Sequence, residues 1–137
     1  MVSPEFQEAV LQAWNRAQHN PDPAVRFAAQ NVPIYVTNKV TPAQARDAGC
    51  PDCTILGLWA AHAYADYPPA EGGYPASNHG LIWLYEDGIR SCAGNLEETT
   101  HSVLIHEIDH ALQRDHILEA MRKQQPAEAY AWARPRP

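Results

Sequence analysis

Leu104-Ile105-His106-Glu107-Ile108-Asp109-His110-Ala111-Leu112 joins a helical apolar repeat to a His-Glu-x-x-His spacing. On an α-helix residues four apart share a face, so the imidazoles of His106 and His110 can reach one metal ion. Leu104, Ile105, Ile108, Ala111 and Leu112 recur at helical spacing and form a stripe roughly opposite that face. The stripe is expected to be buried, which turns both histidines toward a cleft. Glu107 stands beside the first of them, where its carboxylate can hold and deprotonate a metal-bound water. Two imidazoles and one further ligand leave a coordination position open, and that opening separates a hydrolytic zinc site from a closed structural one.

Working outward, Asn95 followed by Glu98 has the form of a capping box, so a helix is expected to start near Leu96. Neither Pro nor Gly interrupts the chain from Leu96 to Gln125. The alternative, two histidines that merely sit at a surface or in a satisfied core, leaves their shared face without a purpose.

Two residues downstream can supply a third ligand. His116 has the spacing of the extended motif His-Glu-x-x-His-x-x-Gly-x-x-His, but Gln113 occupies the glycine position where that motif turns the chain. Were the helix to continue, His116 would lie about 15 Å along the axis from His106, so it ligates only if the helix breaks near Gln113. Glu128 sits in Pro126-Ala127-Glu128-Ala129-Tyr130-Ala131-Trp132, where the proline suits the first turn of a second helix. Folded back against the first helix, that segment would bring Glu128 to the metal after a reversal within residues 113–116, with Asp115 as a helix cap. Glu119 is a third, weaker choice.

Read as His-Glu-Ile-Asp-His-Ala-Leu-Gln, His106 to Gln113 resembles the active helix of the zincin metallopeptidases. The downstream Glu128-Ala129 is similar to the gluzincin, or thermolysin-like, branch. The stretch from Asn78 to Gly88 resembles the edge strand of that fold, which pairs with extended substrate. The chain departs from the gluzincin pattern in having Trp132 where an acidic residue is usual, and in having no histidine after Glu128. The resemblance implies a zinc peptidase acting on a peptide or protein substrate through a metal-activated water, with Glu107 as general base. Two rivals are a zinc-binding scaffold of the same fold without turnover, and a zinc hydrolase for a substrate other than a peptide.

The 137 residues are 45% hydrophobic, enough for one domain over 1–137 with a single core. Net charge is −6 and the ten Lys and Arg are scattered, so the basic stripe that engages phosphates is missing and nucleic-acid binding is not expected. No run approaches a membrane span, and Met1-Val2-Ser3-Pro4-Glu5-Phe6 lacks the parts of a signal peptide, so a soluble, cytoplasmic protein is expected. Three cysteines without a leader argue against a disulfide framework. Cys50 and Cys53, with Cys92 and His62, could form a structural metal site or a disulfide, or remain free thiols.

The expected fold is a small α+β, zincin-like domain: a mixed sheet of three or four strands, an N-terminal helix and the active-site helix. Residues 4–30 read as helical with a break at Asn20-Pro21-Asp22-Pro23, and Phe6, Val10, Leu11 and Trp14 as the apolar face. Val32–Val36 reads as the first strand, Pro42–Ala48 as a short helix, and Thr54–Tyr64 as a central strand. Asp66–Ser77, rich in Pro and Gly, reads as a functional loop leading to the substrate edge. Leu81–Tyr85 and Ile89–Cys92, around a turn at Glu86-Asp87-Gly88, read as a hairpin. Residues 117–123 and 127–132 read as helical. Tyr74 and His79, on the loop and edge strand, are candidates for a transition-state donor, against plain solvated loop residues. His101 reads as a capping or core residue and His62 as a core histidine; His19 has no context that singles it out.

Overall fold

A computed structural model of the chain describes residues 2–47, 54–60, 80–92 and 94–114. Helix α1 (Pro4–Gln18) starts where the Ser3 hydroxyl accepts a hydrogen bond from the Phe6 amide at 3.1 Å, with Pro4 in the first turn, where no amide donor is needed. Helix α2 (Pro23–Asn31) repeats the device: the Asp22 carboxylate accepts from the Ala24 amide at 3.0 Å, and Pro23 follows it.

The buried face of α1 is Phe6, Ala9, Ala13 and Ala17, which corrects the expected one. Val10 packs at its margin, but Leu11 and Trp14 are 55% and 40% exposed. α1 lies against both α2 and α5 (Leu96–Arg114), and a stripe of alanines lets the helix backbones approach where leucine and tryptophan would hold them apart. The Trp14 indole instead reaches α2 and donates to the Ala29 carbonyl at 2.9 Å.

Three strands, β1 (Ile34–Thr37), β2 (Gly57–Ala60) and β3 (Leu81–Tyr85), form a mixed sheet in the order β1-β3-β2. β1 runs parallel to β3 with Tyr35 opposite Trp83, and β2 runs antiparallel with Gly57 opposite Leu84. All five residues of β3 are buried. Ile82 and Leu84 join the core under the helices, while Leu81, Trp83 and Tyr85 form a second cluster with Leu58 and Ala60 on the opposite face. A strand covered on both faces needs an unbroken apolar run, and Leu-Ile-Trp-Leu-Tyr is one. Leu81–Tyr85 is therefore the central strand and not the substrate-pairing edge. The strand within Thr54–Tyr64 is β2, at the sheet margin among the described residues, with the alternating burial of a half-covered strand.

On the second face, α3 (Pro42–Asp47) supplies Gln44, whose Oε1 accepts from the Tyr85 hydroxyl at 2.7 Å. After β3 the expected hairpin does not form. Glu86–Arg90 is a short helix, α4, because Glu86 is drawn inward: its carboxylate accepts from the amide and hydroxyl of Ser3, near the N-terminus, and from Nε of Arg90 in its own helix. Gly88 lets this helix sit against the Ile55 carbonyl, where any side chain would collide.

The fold is thus the expected small α+β type, with, among the described residues, a three-stranded mixed sheet backed by the motif-bearing α5, against which α1 and α2 pack. Among the described residues no helix is long and apolar enough to cross a membrane.

Candidate metal centre

α5 begins as its sequence implies: Asn95 Oδ1 accepts from the Glu98 amide at 3.1 Å, and the Asn95 carbonyl accepts from Thr99 at 3.0 Å. From that cap the helix buries Thr100, Val103, Leu104, Ile108, Ala111 and Leu112, with Ile105 partly buried on the same core. The fixed helical period then leaves His106 exposed and His110 half-buried. Their rings meet edge to face, centroids 4.6 Å apart at 89°, with the two Nε2 atoms 3.0 Å apart.

Two imidazole lone pairs at that distance repel unless a proton or a cation lies between them. A tetrahedral zinc ion with Zn–N bonds of about 2.0–2.1 Å holds two ligand nitrogens about 3.3 Å apart. A slight opening of the pair accommodates the ion, so the donor set fits it.

Glu107 is buried, unusual for a carboxylate, and lies against β2 beside Gly57. With His106 it lines a groove of about 690 Å³ between the start of β2 and the first half of α5. Ile55, Leu56 and Val103 form its apolar wall, and Asn95, Thr99 and Ser102 its polar one. At the rim Glu98 pairs with Arg16 at 3.0 Å, both side chains more than half exposed, a contact of little energetic weight. His101 does not line the groove. Burial lowers its pKa and the Arg16 cation adds to this, against a partial opposing effect of Glu98.

Glu128, His116, Glu119, Tyr74, His79, His62, Cys50 and Cys53 lie outside the described residues. α5 runs unbroken through Gln113 to Arg114, so the chain does not break at the Gln113 position. Among the described residues no group of three His, Cys, Asp or Glu gathers to hold a metal. Cys92 follows α4 half-buried, its thiol donating weakly to the Gly88 carbonyl at 3.8 Å.

A family model described as zincin-like metallopeptidase matches residues 29–125, more than two thirds of the chain. The chain belongs to that family. None of the curated proteins matches it in sequence. In this zincin-like metallopeptidase the matched segment begins inside α2 and takes in the whole sheet and α5, while α1 precedes it. His106, Glu107, His110 and His116 fall within the segment, and Glu128 falls just beyond its end. The family implies zinc, and two imidazoles beside a carboxylate are donors that zinc accepts.

One residue of the site escapes a reading based on motifs. Gly57, in β2, faces Glu107 so closely that a Cβ there would stand 3.0 Å from Glu107 Cγ. Its signal is a glycine interrupting the β-forming run Ile55-Leu56-Gly57-Leu58-Trp59, which marks a close approach of another group to a strand.

Proposed function

We propose that this zincin-like metallopeptidase hydrolyses peptide bonds, with zinc held by His106, His110 and a third ligand from beyond Arg114, and with Glu107 as general base. The observation that carries the reading is the convergence of the two Nε2 atoms, 3.0 Å apart, beside a groove that His106 and the buried Glu107 line. Bound zinc supplies Lewis acidity, bringing the pKa of a water toward neutrality and polarising the scissile carbonyl. Glu107 accepts the proton of the attacking water and returns it to the leaving amine, so one carboxylate serves as base and then as acid. Its burial beside β2 keeps competing solvent away from that proton.

Among the described residues β2 lies beside the motif at the sheet margin, and an extended peptide laid along it would be held by main-chain hydrogen bonds. The apolar wall of Ile55, Leu56 and Val103 suits a substrate side chain next to the cleaved bond. Glu128 is the proposed third ligand, supported by its place in a helix-forming segment after Pro126, and His116, within the family-matched segment, is the alternative. Tyr74 and His79 are proposed donors to the developing oxyanion.

The test is cleavage of a peptide library by zinc-loaded wild type and Glu107→Gln. Cleavage by the first and not the second supports the reading. Zinc retained by a wild type that cuts no peptide would favour the scaffold role, or a substrate of another kind.

A further inference from the structure

We propose that Gly57 is the positioning residue for Glu107: the side chain it lacks leaves the space in which the buried carboxylate rests against the groove. The proposal rests on the reading of Glu107 as the proton acceptor. A Cβ built on Gly57 stands 2.9 Å from Val103 Cγ1, 3.0 Å from Glu107 Cγ and 3.2 Å from Glu107 Oε2. Non-bonded carbons prefer about 3.5–4.0 Å, so a methyl group there displaces a neighbour.

Which neighbour yields follows from stiffness. β2 cannot retreat easily, because Gly57 pairs with Leu84 of the fully buried β3. Val103 is β-branched, confined to one strongly preferred rotamer on a helix, and packed in the core. Glu107 has three side-chain torsions, and two of the three atoms that the methyl meets belong to it. The carboxylate therefore moves. Backbone strain plays no part: the described glycines with positive φ are Gly80 and Gly94, so alanine at 57 meets a steric effect alone. Leu58, the next residue, is in the cluster on the opposite face of the sheet, whereas Gly57 is on the face toward Glu107.

Two measurements test the assignment. Zinc-loaded Gly57→Ala should keep its metal and hold KM within about twofold, while kcat falls on the order of tenfold to a hundredfold. In a Glu107→Gln background the same substitution should lower the residual rate no further. Wild-type kcat in Gly57→Ala, or the same fractional loss in both backgrounds, would overturn the proposal. The second measurement uses metal-free protein and needs no activity. The loss of Tm caused by Gly57→Ala should shrink measurably when Glu107→Ala removes two of the three colliding atoms, since contacting residues are energetically coupled. An equal loss in both backgrounds would refute the contact. Should Gly57→Ala fail to fold, Gly57→Ala/Val103→Ala restores space on the valine side and carries the same kcat expectation. A wild type that binds zinc but cuts no peptide overturns the peptidase reading alone, and the stability cycle still decides the contact.

Discussion

Ser3 and Glu86, 83 positions apart in the chain, are joined by two hydrogen bonds, the Ser3 amide and hydroxyl donating to the Glu86 carboxylate at 2.8 and 2.6 Å. Arg90 Nε donates to the same carboxylate at 2.6 Å. Because the Ser3 hydroxyl oxygen also caps α1, one buried glutamate ties the N-terminal helix to the end of the central strand. Burial opposes ionisation of Glu86, but the Ser3 donors and the Arg90 charge outweigh it and hold the pKa below the ordinary value.

Acid should therefore loosen this tie. With the folded pKa depressed, the unfolded chain takes up the proton first. The stabilisation is complete above the ordinary glutamate pKa of about 4.3 and is lost as pH falls through the folded value. Glu86→Gln is expected to cost about 1–2 kcal/mol at neutral pH and to lose stability less steeply in acid. Urea unfolding of both proteins at neutral and acid pH measures this; parallel pH profiles would refute it.

The metal pair makes a second prediction. Glu107→Gln should retain zinc while kcat falls by about 10²- to 10⁴-fold, the usual weight of a general base. His110→Ala should release the metal, since one imidazole cannot replace the pair. Metal analysis of the purified variants decides both, and full zinc occupancy in His110→Ala would remove that histidine from the site.

Third-ligand variants separate the two downstream candidates. His116→Ala and Glu128→Ala are compared by zinc titration against a competing chelator. The true ligand's variant should lose affinity by two orders of magnitude or more, roughly, and the other should bind like wild type. Equal wild-type affinity in both would point to another residue, Glu119 among them.

Packing of α1 can be tested without any activity. Ala13 is buried where α1 meets its neighbouring helices, so Ala13→Leu should destabilise by about 1–3 kcal/mol through overpacking. Leu11 is 55% exposed, and Leu11→Ala should cost less than about 1 kcal/mol. Denaturant unfolding ranks the two, and the reverse order would contradict the packing described for this helix.

What could be read from the residues alone was the part governed by short-range geometry. Asn95 and Glu98 cap α5, Asp22 and Pro23 open α2, and the four-residue spacing of His106 and His110 sets two rings on one face, all within a turn or so of backbone. Partners distant in sequence decided the rest. Whether Leu81–Tyr85 is an edge or a centre depends on which strands flank it, and its pattern fits a buried strand wherever it lies. α1 offers both a leucine-tryptophan face and an alanine face, and the closeness of α2 and α5 selects the second. Glu86–Arg90 coils because Ser3, from the other end of the chain, holds Glu86 inside. Gly57 acquires its meaning only when β2 is laid against α5, since an empty space is a property of two surfaces and not of one residue.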